Sequence, residues 1–166
     1  MNDISIGSTD ELVQRLAKVL IAKEALMVTA ESCTGGGIAE ALTRVPGSSQ
    51  WFDCGFVTYS NEAKSHLLNI PDSLFDIVGP GAVSEEVALA MANGALANSR
   101  AELSVAVTGV AGPDGGSDEK PVGTVWIAWH WGETHFAKRF QFKGNRQEVR
   151  LATVTAALEG LVALVE

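Results

Sequence analysis

The sequence predicts an α/β fold, a three-layer α/β/α single domain over residues 1–166 with a mixed sheet at its centre. Helical and strand-like patterns alternate along the chain, and such alternation builds a sheet covered by helices on both faces. Late in the chain two strand-like stretches follow one another across a tight turn, and this hairpin makes the sheet mixed rather than wholly parallel. A length of 166 residues is that of one domain, enough to bury about 70% of the unfolded surface without disulfides.

The elements can be justified in order. Ser8 and Glu11 have capping-box spacing, and Leu12, Leu16, Ala17, Val19 and Leu20 recur at helical period, predicting a helix over 10–23. A strand follows at 26–30. Its end opens into Glu31, Ser32, Cys33, Thr34 and three glycines, Gly35, Gly36 and Gly37, before a helix over 38–44 that Pro46 closes. Residues 51–59, rich in aromatic and β-branched side chains, read as a second strand. Ser60 or Asn61 can cap a short helix through Leu68 that carries Lys64 in its first turns.

Residues 71–81 are loop by their Pro and Gly content, after which Ser84, Glu85 and Glu86 start a long Ala-rich helix ending near Ser99. A short apolar strand at 103–107 runs into Thr108 and a stretch containing Gly109, Gly112, Gly115 and Gly116. That stretch is too glycine-rich for regular structure and suits a close approach to the backbone. Strands at 122–129 and 134–142 form the hairpin, turning at Trp131, Gly132 and Glu133, and Asn145 caps a final helix to Val165.

Charge and cysteine content exclude several classes. Lys+Arg 12 against Asp+Glu 20 gives a net charge of −8, which repels nucleic-acid phosphates, so no nucleic-acid partner is expected. Cys33 and Cys54 are too few for a disulfide scaffold and lack metal-ligand spacing, which fits a reducing cytosol and no metal site. Met1 to Ser8 carries no basic or apolar leader pattern, and no apolar run approaches the ~20 residues of a membrane span. The expected setting is cytoplasmic, without membrane contact. Apolar helix faces and exposed sheet edges suggest a homodimer, symmetric dimers being the commonest assembly.

Ligands of α/β sheets sit outside the carboxyl ends of the strands, and three strands here end in unusual loops: before Ser32, after Tyr59 and before Thr108. Ser32, at a glycine-rich strand-to-helix turn, could be a nucleophile beside helix N–H groups that hold negative charge, or Ser32 or Thr34 could simply cap the helix. Cys33 is the rival nucleophile. His66, His130 and His135 are poorly placed as bases, whereas Lys64 and Tyr59 can reach the same sheet edge, and Ser–Lys pairs are a known nucleophilic variant. By spacing alone Lys64 reads as an exposed helix lysine and Tyr59 as a core ring with its hydroxyl bonded. The glycine loop after Thr108 lacks the order of a dinucleotide or P-loop motif. Lys138, Arg139, Lys143, Arg146 and Arg150 crowd one stretch in which Glu148 is the only acid. Arg146 and Arg150 stand i, i+4 at a helix start, where cations are unfavourable unless an anion binds, though a solvated basic face is the alternative.

Six segments carry a resemblance: Glu31-Ser-Cys-Thr-Gly-Gly36, Val45-Pro-Gly-Ser48, Tyr59-Ser-Asn-Glu-Ala-Lys64, Gly81-Ala-Val-Ser-Glu-Glu86, Thr108-Gly-Val-Ala-Gly-Pro-Asp114 and Pro121-Val-Gly-Thr124. Together they resemble the CinA C-terminal domain family over almost the whole chain, in its stand-alone form. The resemblance implies hydrolysis of the amide of nicotinamide mononucleotide to the acid and ammonia, in pyridine nucleotide recycling, with no cofactor or metal. It places the family's nucleophile on Ser32 and its partners on Lys64 and Tyr59. It makes Thr34, Gly35, Gly36, Thr108, Gly109 and Gly112 substrate-binding or oxyanion loops. Arg146 and Arg150 fall where the family has a basic helix start, and the charge argument gives them the 5′-phosphate. Asn145 stands where the family commonly has Asp, and both cap a helix. The competing expectations are a non-catalytic nucleotide-binding module and an amidohydrolase for another small amide.

Overall fold

The computed structural model describes residues 6–166, so most of the stretch Met1 to Ser8 considered for targeting lies outside the described residues. In chain order the elements are α1 (Ile6–Ala22), β1 (Met27–Glu31), α2 (Gly37–Arg44), β2 (Phe52–Val57), α3 (Asn61–Leu68), α4 (Glu85–Ala97), β3 (Leu103–Gly109), β4 (Thr124–Trp131), β5 (Thr134–Gln141) and α5 (Arg146–Val165). Among the described residues two 3-10 turns add to these, Ser48–Gln50 and Asp72–Phe75, the second inside the segment expected as loop, since one such turn needs little more than a local i→i+3 bond. Helix α1 begins before Ser8, so the Ser8/Glu11 spacing does not mark its start. Serine is tolerated inside helices and helix ends are the least legible boundaries.

Among the described residues the strands form one sheet in the order β2-β1-β3-β4-β5. β1 pairs in parallel with both β2 and β3, and β4 runs antiparallel to β3 and β5. This is the mixed sheet that the alternation and the late hairpin predict. β1 and β3 run further than expected because pairing continues at Glu31↔Val57, Glu31↔Val107 and Gly109↔Val125. The hairpin closes through the Trp131↔Thr134 pair, with Gly132 at φ 59°.

Strand alternation sends successive side chains to opposite faces and so builds two cores. Met27, Leu103, Val105, Val107, Val125, Ile127 and Trp129 face α1, α2 and α5, in contact with Leu16, Leu20, Ile38, Leu42 and Leu158. The other face presents the smaller Val28, Ala30, Ala106 and Ala128 to Val87, Ala88, Met91, Ala92 and Ala95 of α4. Small residues on both partners let α4 lie close to the sheet, and the Ser104 hydroxyl donates to the Ala92 carbonyl at 3.1 Å. No described helix is long and apolar enough to cross a membrane.

Three of the suggested caps form, with Ser60 and not Asn61 capping α3. Ser60, Ser84 and Asn145 accept from the N–H groups of Ala63, Val87 and Glu148, and Glu148 completes a capping box on α5. Helix α3 ends where Gly94 of α4 meets it, a Cβ there falling 2.2 Å from the Leu68 carbonyl oxygen. Gly94→Ala should therefore force α3 off α4 and destabilise the protein by about 1–3 kcal/mol. Urea unfolding checks this, and an unchanged midpoint would show that the two helices separate without cost.

Candidate active site

A cleft of about 300 Å³ opens at the carboxyl ends of β1, β2 and β3. Ser32 and Cys33 enter it from the turn after β1, and Tyr59, Asn61 and Lys64 from the end of β2 and α3. Thr108, Gly109 and Gly112 come from β3 and its loop, and Arg146 from the start of α5. The three strand ends singled out in the sequence therefore converge.

At its floor Lys64 is 1% exposed and Ser32 8%. The Lys64 Nζ lies 2.9 Å from Ser32 Oγ, 2.9 Å from the Thr58 carbonyl oxygen and 3.2 Å from the Tyr59 carbonyl oxygen. Three acceptors match three ammonium N–H groups. They match a neutral amine equally well, with two N–H groups on the carbonyls and the lone pair facing the Ser32 hydroxyl. Burial disfavours the charged form and lowers the Lys64 pKa from its ordinary value. Among the described residues no carboxylate pairs with this amine to oppose that effect.

Ser32 is held from both sides: its N–H donates to the Val107 carbonyl at 3.1 Å, and its own carbonyl accepts from Gly35 N at 3.0 Å. Cys33 is buried, and burial pushes its thiol up to about 11, so it remains a neutral thiol near neutral pH. The geometry therefore favours Ser32 over its neighbour.

Tyr59 meets Lys64 through its main chain, not its ring. Its carbonyl reaches the amine while the residue as a whole is 61% exposed. Its hydroxyl accepts a 2.8 Å hydrogen bond from Arg146. Tyr59 thus meets the amine through its carbonyl and Arg146 through its hydroxyl. Arg146 also donates to the Gly112 carbonyl at 2.7 Å, leaving other guanidinium N–H groups for a ligand. Gly112, at φ 81°, leaves no room for a side chain, since a Cβ would meet Val122 at 2.5 Å. The Thr108 hydroxyl donates to the Ala82 carbonyl at 2.8 Å and ties the loop before α4 onto the cleft wall.

Four expected site residues, three in the turn itself and one on α5, are not among those lining this cleft. The Thr34 hydroxyl donates to Glu31 at 2.6 Å, Gly36 is the N-cap of α2, and Gly35 packs beside Arg150. Arg150 donates to the Thr34 carbonyl at 3.1 Å and faces a separate groove of about 280 Å³ that Arg44 and Leu151 also line. One helical turn separates Arg146 from Arg150, and Thr34 and Gly37 line the groove that Arg150 faces. The histidines are elsewhere. His66 lies on α3, and His130 packs on His135 across the hairpin with Nδ1 2.7 Å from Asn93.

Sequence reasoning passed over Asn61 and Asp114, which line the cleft, and Glu31, which is wholly buried behind it. Glu31 had a signal: an acid closing an apolar strand just before a helix start is rarely buried without donors to receive it.

Fold and cleft together define an α/β domain with a buried serine–lysine pair at the carboxyl edge of a mixed sheet. The family model of the CinA C-terminal domain matches residues 9–165, and the chain belongs to that family. It is 59% identical to a Pseudomonas putida protein named nicotinamide-nucleotide amidohydrolase PncC, over 92% of this chain and 94% of that one. It is 45% identical to the Escherichia coli K12 protein of the same name, over 91% of each. Among solved structures, competence/damage inducible protein CihA from Agrobacterium tumefaciens superposes with a TM-score of 0.91 at 46% identity, covering 95% of this chain and 96% of that one.

Proposed function

We propose that the protein hydrolyses the carboxamide of nicotinamide mononucleotide to nicotinate mononucleotide and ammonia, with Ser32 as nucleophile and Lys64 as base. The observation that carries this reading is the 2.9 Å contact between a buried, cation-disfavouring lysine and Ser32 Oγ, in a cleft with Arg146 on its wall. Support comes from the names of the relatives above.

In the proposed reaction Ser32 Oγ attacks the amide carbon while its proton passes to Lys64 Nζ. The amine then returns that proton to the departing nitrogen, ammonia leaves, and an ester remains on Ser32. Water attacks this ester with Lys64 again accepting the proton, and the amine returns it to Ser32 Oγ as the ester bond breaks and the free acid departs. The Thr58 and Tyr59 carbonyls hold the amine at the serine throughout. Arg146, oriented by Tyr59 and Gly112, receives the 5′-phosphate. Arg150 faces the separate groove and is not assigned to it.

Ammonia release from nicotinamide mononucleotide, assayed beside nicotinamide, nicotinamide riboside and glutamine, tests the reading. Turnover of the mononucleotide above the others supports it. Turnover of glutamine alone would mark a different amidase, and binding without turnover would mark a nucleotide-binding module. Arg146→Ala should weaken binding of the mononucleotide by about 1.5–3 kcal/mol, the worth of charge-assisted hydrogen bonds, and leave the riboside little affected. Calorimetric titration of both ligands checks this. Equal losses for the two would take the phosphate away from Arg146.

A further inference from the structure

We infer that Glu31 is a positioning residue for the reaction, the clamp that holds Ser32 against Lys64. The inference rests on the reading of Ser32 as nucleophile. Glu31 is fully buried, and both of its carboxylate oxygens accept hydrogen bonds. One takes the Thr34 hydroxyl at 2.6 Å and the Ile38 N–H at 2.7 Å, and the other takes the Ala39 N–H at 3.0 Å. The N-cap of helix α2 is a glycine, Gly36, which has no side chain to cap it. The strand before the turn thus supplies the cap that the turn itself lacks, and the segment from Ser32 to Gly37 is pinned at both ends.

The main chain of the same residue secures the other half of the pair. The Glu31 carbonyl accepts from Thr58 N at 2.9 Å, and Thr58 in turn presents its carbonyl to Lys64 Nζ at 2.9 Å. Ser32, next in the chain, donates its N–H to Val107. The peptide group between Glu31 and Ser32 therefore joins the end of β1 to those of β2 and β3, while the Glu31 side chain fixes the turn that follows Ser32. Burying a carboxylate is costly unless its acceptors are filled, and here they are filled by the backbone whose position decides where Ser32 Oγ falls. A glutamine in the same place can accept at only one end. Whichever way it is turned, its amide N–H groups face a backbone donor.

The test compares wild type, Glu31→Gln and Thr34→Val, with circular dichroism establishing that each is folded. Two readouts are taken: kcat and KM for ammonia release from nicotinamide mononucleotide, and the rate at which a fluorophosphonate modifies Ser32, located by peptide mass spectrometry. Folded Glu31→Gln is expected to lose about 100-fold in kcat, the effect of displacing a reacting group by about 1 Å, with KM nearly unchanged and labelling slowed in parallel. Thr34→Val removes a single bond to the clamp, and about tenfold is expected in both rates. If Glu31→Gln does not fold, Thr34→Val decides. A cap with only a structural role would lower the melting temperature and leave kcat and labelling of the folded protein at wild-type values, which overturns the inference. So does a loss confined to KM, or a wild type that the fluorophosphonate does not modify at Ser32. Labelling at Ser32 without ammonia release would refute the substrate reading alone, and the labelling rates would still decide the role of Glu31.

Discussion

Ser32→Ala is expected to abolish deamidation, with a fall in kcat on the order of 10⁴-fold or more, while affinity for the nucleotide is retained. The alanine removes the atom that would bond to the substrate and nothing on the Arg146 wall of the cleft. The neighbouring thiol provides the control. Cys33 lies one residue away and shares the cleft, but burial holds its thiol up to about 11, so little thiolate is present near neutral pH. Cys33→Ala should therefore be mild. Single-turnover assays and calorimetric binding on the two variants check both expectations. A dead Cys33→Ala beside an active Ser32→Ala would transfer the nucleophile to sulfur. Trapping of an ester on Ser32 by acid quench would show the intermediate directly.

Lys64→Arg is expected to be nearly as damaging, at about 10²–10⁴-fold in kcat/KM. A guanidinium keeps its proton at any working pH and has no lone pair to offer Ser32. The wild type should show the corresponding pH dependence. Burial lowers the Lys64 pKa from 10.5, so the amine is protonated and inactive below that lowered value and neutral above it. Accordingly kcat/KM should rise with pH along a limb of unit slope and level off before the ordinary lysine pKa is reached. A flat profile, or a Lys64→Arg enzyme with near-normal turnover, would remove lysine as the base. Tyr59→Phe should spare this limb, because the main-chain carbonyl, which the substitution keeps, is what touches the amine.

The local grammar of this chain was legible in its sequence. Apolar β1, the glycines after it and the helical period of α2 marked a strand, turn and helix around Ser32. The caps at Ser60, Ser84 and Asn145 could be read because a cap joins a side chain to a backbone group three residues on. Composition and alternation were enough for the mixed three-layer class, since each element must hide its apolar face against another layer. What pairs with what was decided only in three dimensions. Ser32 and Lys64 are 32 positions apart, and Tyr59 and Arg146 are 87 apart. Those contacts exist because the order β2-β1-β3 brings three carboxyl ends together and the start of α5 reaches the cleft they form. The tertiary structure likewise turned the Tyr59 ring away from the amine, set Arg150 in a different groove from Arg146, and aimed the Glu31 carboxylate at the start of α2. A sequence pattern reports which face of its own element a residue occupies. Which neighbour stands opposite that face depends on strand order and on where each helix crosses, and these are set by the packing of the whole chain.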